Sequence, residues 1–196
     1  MEGFSVRKSK APQKKRSMII FLMPFLAMWI LLPIFGNYGA FASIIIGAFV
    51  PFLARFYRLT SYDTIGAFIA STLSVVFLAG VSSQIVVTLS YFIFGCLWLL
   101  SLFFRVPLCA WYSANNYGAD DAFDNPLFIF TNKIITGFWG VLYLGVSIFT
   151  WFLMQSVYSS FTGLFNSIAP AIAGIFTAIF VKWYPAYYAR KENKNT

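Results

Sequence analysis

The sequence predicts an all-α integral membrane protein with six transmembrane helices in three hairpins and both termini in the cytoplasm. Three observations carry this. Hydrophobic residues make up 60% of the 196 residues and charged residues 10%, against about a quarter charged in soluble domains. Mean hydropathy is +0.76, and the apolar residues fall into runs long enough to cross a hydrocarbon core. The 14 Lys and Arg residues all fall in the two tails, in alternate inter-run segments, or in the span ends that adjoin them. So few charges do not cover a water-facing surface, so lipid is the solvent for most of the chain.

Residues 1–17 form a basic tail carrying Arg7, Lys8, Lys10, Lys14, Lys15 and Arg16. The apolar run behind it is long for a signal peptide and ends without a small-residue cleavage site, so it reads as a retained span. Span one covers Met18–Phe35, with Pro24 and Pro33 inside it, and Pro24 predicts a kink. Gly36-Asn37-Tyr38-Gly39 reads as a tight turn. Span two covers Ala40–Tyr57, where Ser43 and Gly47 share a face suited to close helix approach. Asp63 then caps or opens span three, Thr64–Gly80. Gly66, Ala67, Ala70, Ser71 and Ser74 mark span three as closely packed.

After the uncharged turn Val81–Gln84, span four runs Ile85–Phe104 and ends at Arg105. A linker over 105–131 follows. Trp111, Tyr112 and Tyr117 suit the headgroup zone and predict a short interfacial helix ending near Gly118. Asp120, Asp121 and Asp124 precede Asn125-Pro126, where a helix restarts. Span five covers Leu127–Met154 and span six Phe161–Tyr184, so the membrane domain is 18–184 and residues 185–196 form a second basic tail.

The turns after spans one, three and five (GNYG, VSSQ and QSVYSS) carry no charge. The positive-inside rule therefore puts both tails and both charged loops in the cytoplasm, and five spans would leave one basic end outside. The location this implies is multi-pass in a bacterial cytoplasmic membrane. The net charge of +8 is a topology signal at span ends, so nucleic acid is not an expected partner; membrane lipids are.

Function is less sharply written. With no histidine and two cysteines, Cys96 and Cys109, there is no His-based metal site or general base. On one continuous helix the two thiols would stand about 20 Å apart, too far to bridge. No nucleotide, zinc-protease or hydrolase motif occurs, and no cofactor is expected. Asp120, Asp121 and Asp124 form the acidic cluster that would hold a divalent ion in a membrane enzyme. Pairing with Arg105, Lys133 or the basic tails is the competing role. Arg105 and Lys133 stand at span ends, where long side chains reach water. Asn132 and Thr136 share a helix face and are expected to bond across to Ser101 or Asn166.

Residues 91–190 carry a pattern of order and spacing. Arg105-Val106-Pro107-Leu108 ends an apolar span. A polar linker follows, then Asn125-Pro126, Asn132 and Trp139 on the next span, and an aromatic, basic tail over Lys182–Lys194. In this the sequence resembles the intracellular septation protein A family of bacterial inner-membrane proteins. The family usually has two basic residues before Pro-Leu where this chain has Arg105, and the N-terminal half matches in hydropathy. The resemblance implies a non-enzymatic role in cell-envelope maintenance or septation, through contacts with lipids and with envelope-synthesis or division proteins, and it carries over no catalytic residue. The alternative is a small transporter or channel component for a lipid or small solute, with homo-oligomerisation open; an enzyme using the three aspartates ranks third. The residues expected to carry contacts are Asp63, Arg105, Pro107, Asn125, Asn132, Lys133, Thr136 and Trp139.

Overall fold

Apolar runs of this length leave their backbone no partner in lipid except themselves, so they fold as helices. The computed structural model describes residues 14–192, and the described residues contain helices and no strand. The helices are α1 (Met18–Phe35), α2 (Asn37–Phe49, extended by a tight 3₁₀ segment Val50–Arg55), α3 (Ser61–Leu78), α4 (Ser83–Leu100), a short α5 (Leu108–Ser113), α6 (Pro126–Gln155) and α7 (Thr162–Glu192). Six segments are long and apolar enough to cross a membrane, α5 being the exception. The outermost residues of both tails lie outside the described residues.

The first turn is tighter than the composition suggests. Gly36 alone makes it, at φ 54°, while Asn37, Tyr38 and Gly39 already belong to α2. The Gly36 N–H closes α1 onto Leu32 O at 2.9 Å. Gly39 packs so closely on α1 that a Cβ there would fall 2.1 Å from the Leu31 carbonyl oxygen. Ser43 Oγ donates to the Pro24 carbonyl at 3.1 Å. At Gly47 a Cβ would meet Ser71 Oγ at 2.3 Å, which is the close approach to α3 that the small residues imply.

Packing puts α1, α2 and α3 in one set, lays α4 along α6, and rests α7 on α6; of the turn-joined pairs, α3 and α4 touch least. An aromatic core joins the sets. Phe94 of α4 stacks on Phe21 at 5.1 Å and meets Phe25 and Tyr143 edge-on, each at 4.6 Å. Trp29 stacks on Tyr91 at 4.3 Å and its indole N–H donates to Ser90 Oγ at 2.7 Å. Trp98 is fully buried beside Trp139 and Tyr143. These rings fill the space between spans four and five, so the seam there is closed by side chains.

The α4–α6 seam depends on Gly95. A Cβ there would stand 2.9 Å from Leu144 N and 3.0 Å from Gly140 O, both backbone atoms that cannot yield locally. Gly95→Ala is expected to cost about 1–3 kcal/mol, read as a lowered unfolding temperature of the purified protein in detergent. Gly145, with nothing within 4 Å of its added Cβ, is the control: Gly145→Ala should leave the transition in place. Equal shifts from the two would refute the close-packed seam.

Candidate functional site

The linker folds back into the protein. The expected short helix is present: α5 ends at Ser113, a 3₁₀ turn covers Ala114–Asn116, Gly118 reverses the chain at φ 90°, and another 3₁₀ segment covers Ala119–Asp124. Tyr117 is exposed, and Tyr112 is the ring that departs from a headgroup position. Leu108, Ala110 and Ala114 are completely buried and Tyr112 is turned inward. This six-residue helix fits into the end of the bundle with Leu108, Ala110 and Tyr112 turned inward.

Asp63 explains where Tyr112 goes. Thr60 is the N-cap of α3, and its Oγ1 takes the Asp63 N–H while the Asp63 carboxylate takes the Thr60 N–H at 2.6 Å, a reciprocal capping box. The carboxylate also accepts from Thr60 Oγ1 and Tyr112 Oη, both at 2.9 Å. Asp63 is 1% exposed, so it is both the cap the sequence suggested and a buried bridge to the linker. Burial, followed by the nearby Asp63 charge, pushes the Tyr112 phenol well above its ordinary value, which keeps it a protonated donor.

A second tie comes from the tail. The Arg16 side chain is buried, at 2% exposure, and its guanidinium lies 5.0 Å from the centre of the Trp111 ring and 5.4 Å from that of Phe123. It donates to Asp120, which also accepts from Arg58 at 2.6 Å. These bonds, the one from Arg16 first, hold the Asp120 carboxyl below its ordinary value, although that carboxyl is 38% exposed. Asn115 closes the joint by accepting from Arg16 N at 3.1 Å and donating to Arg16 O at 2.6 Å. The acidic cluster therefore divides: Asp120 faces the tail and Arg58, and Asp124 pairs with Arg105 at 3.2 Å. Among the described residues no three carboxylate or cysteine side chains gather as a metal-binding group.

The remaining predicted residues are placed as follows. Pro107 is the N-cap of α5, and Asn125 caps α6, its Oδ1 accepting from Leu127 N at 3.0 Å and Phe128 N at 3.2 Å. Asn132 and Thr136 do share a buried face, but neither bonds to Ser101 or Asn166. Asn132 Oδ1 accepts from Ser113 Oγ at 2.8 Å, and Thr136 Oγ1 accepts from the Cys109 N–H at 3.2 Å. Ser101 is instead taken by the Leu108 N–H, and Asn166 by Thr150. The inserted linker takes Ser101, Asn132 and Thr136 for itself, and Asn166 meets α6 further along, at Thr150, which is why the expected pairing fails. Trp139 donates to Thr177 on α7 at 2.9 Å. Arg105 and Lys133 line one open groove with Asp124 and Phe130. A smaller cavity of about 130 Å³ lies between the linker, the start of α6 and α7, lined by Ser113, Tyr117, Phe128, Asn132 and Pro185 among others.

The sequence reading missed Arg16, Thr60 and Tyr112 as site residues. Arg16 looks like any other cation of a basic tail, and nothing local distinguishes it. Comparison with family models, curated proteins and solved structures finds no match for this chain.

Proposed function

We propose that this is a non-enzymatic multi-pass protein of the bacterial cytoplasmic membrane, acting in envelope maintenance or septation through lipid and protein contacts. In this reading the spans run as three hairpins, and the tails, the 55–63 loop and the linker face the cytoplasm, as their charges direct. The observation that carries it is the anchored linker. Arg16 from the tail, Arg58 from the first charged loop and Asp63 from α3 all hold it. The result is a shaped, polar platform at one end of a closely packed bundle, which suits a surface for contacts. The resemblance of residues 91–190 to septation proteins points the same way.

Arg105 is an exposed cation of that platform, and its pair with Asp124 is exposed on both sides. Exposed pairs contribute about 0–1 kcal/mol. Arg105→Ala should therefore leave the unfolding temperature nearly unchanged while reducing crosslinking to division or envelope-synthesis proteins in cells. Undiminished crosslinking in Arg105→Ala and in Lys133→Ala would count against the platform. For topology, a thiol placed by Asn193→Cys is expected to react only with reagents on the cytoplasmic side.

The second reading is a transporter or channel component, favoured by the cavity at Asn132. Purified protein in liposomes is expected to move no solute. A specific flux that disappears in Asn132→Ala would replace the contact reading with this one.

A further inference from the structure

The Arg16 joint leaves a second basic corner beside it. An open groove of about 550 Å³ is lined by Lys14, Ala54, Tyr57, Arg58 and Leu59. The tail and the loop that form it are fixed together, because the Arg58 N–H donates to Lys15 O at 3.1 Å and Lys14 Nζ donates to Ala54 O at 2.9 Å. Lys14 and Arg58 line it and are exposed, as are their chain neighbours Lys15 and Arg55. Asp120 is shared by Arg16 and Arg58, while Lys14 pairs with no carboxylate among the bonds described and turns its ammonium to the Ala54 carbonyl. The local field is therefore that of an anion site built on a positioned backbone.

Its place in the fold selects the kind of anion. The floor is the 3₁₀ end of a membrane-crossing segment, Asn37–Arg55, so the groove stands where hydrocarbon gives way to headgroups. The rings next to it in sequence face outward: Phe49, Phe52 and Phe56 are 60%, 71% and 68% exposed. Phe49 and Phe52 precede the groove on the same membrane-crossing segment, Asn37–Arg55, so a phosphate held at Lys14 and Arg58 has exposed apolar rings on the segment that runs from it into the hydrocarbon, as a phosphate with acyl chains requires. A free phosphate would have no use for them.

We propose that this groove binds the headgroup of an anionic phospholipid, with Lys14 and Arg58 on the phosphate and the acyl chains along Phe49 and Phe52. The proposal deepens the membrane-contact reading and rests on it for the placement of this end at the anionic leaflet. It differs from general attraction of a basic tail in having a defined site, so it predicts a countable, saturable lipid.

The test uses the full-length protein, purified in detergent and titrated with phosphatidylglycerol or phosphatidylcholine while bound lipids are counted by native mass spectrometry. One phosphatidylglycerol is expected to bind at concentrations where phosphatidylcholine does not. Near a membrane surface each cation changes affinity about fivefold, so Lys14→Gln/Arg58→Gln should weaken this binding about thirtyfold. Lys14→Arg/Arg58→Lys should restore it, and Arg105→Gln/Lys133→Gln should not alter it. Lys14 stands outside the contacts of Asp120, so Lys14→Glu alone, expected to cost about tenfold or more, tests the groove even if the double variant does not fold. Equal binding of the two lipids, or wild-type affinity in Lys14→Glu, overturns the proposal. So does displacement of the lipid by equimolar inorganic phosphate, which would make this a free-anion site. None of these readouts involves a partner protein, so loss of the crosslinking result would leave them standing.

Discussion

Asp63→Ala is expected to destabilise the protein by about 3–5 kcal/mol and to free the linker. The carboxylate accepts from the Thr60 N–H, from Thr60 Oγ1 and from Tyr112 Oη in a site 1% exposed. Each buried donor left without an acceptor costs about 1–3 kcal/mol, and loss of the cap about 0.5–2. The two hydroxyls lie 3.0 Å apart and can still pair with each other, which holds the sum below the simple total. Asp63→Asn keeps one acceptor oxygen and should cost less. Tyr112→Phe removes a single donor and should cost about 1–2 kcal/mol. Thermal unfolding in detergent gives the magnitudes, and amide hydrogen exchange over residues 108–118 reports the linker. Protection of those amides unchanged in Asp63→Ala would sink the claim that Asp63 anchors them. The phenol adds a pH dependence. Its folded value is raised above the unfolded 10.0, so the stability it contributes is complete below pH 10 and is lost as pH rises beyond it.

Arg16→Ala should cost about 2–4 kcal/mol and loosen the other side of the same linker. Desolvated cation–π contacts contribute up to about 2 kcal/mol each, and Arg16 makes two, with Trp111 and Phe123. The bond to Asp120 adds less, because that carboxyl can return to water. Arg16→Lys keeps the charge but loses the planar stacking, and should recover only part of the stability. A double-mutant cycle with Asp120→Asn should show coupling; energies that simply add would mean the two side chains act independently. Asp120 is lowered from 3.8 when folded. The joint's contribution is therefore full above about pH 4 and is lost as pH falls below that through the folded value. Across the physiological range the joint stays closed.

How much of this was legible beforehand differs by level. The six apolar helices follow from run length and charge spacing, because a bilayer leaves the backbone no alternative. Helix ends were legible where a side chain caps them, as at Asn125-Pro126. The first turn was drawn too long, because only the structure reveals that Gly36 reverses the chain and Gly39 is needed for contact. In the linker, the short helix before Gly118 is legible and the inward turn of Tyr112 is not. Tyr112 is as amphipathic as any headgroup tyrosine, and what draws it inward is an acceptor 49 positions away in sequence. Asn132 and Thr136 were correctly placed on one buried face, yet their partners depend on a loop insertion that helical periodicity does not encode.

The Arg16–Asp120 contact also orders events in time. Its two ends lie 104 residues apart, with four membrane segments made between them. At about 5–20 residues per second, Asp120 is synthesised some 5–20 s after Arg16. During that interval the Arg16 guanidinium has no Trp111, no Phe123 and no Asp120 to meet. Closure of the joint thus marks the moment at which the first four segments have been inserted and the next stretch has emerged. A nascent chain stalled before residue 111 would lack it, so burial of the Arg16 side chain can serve as a molecular timestamp for biogenesis.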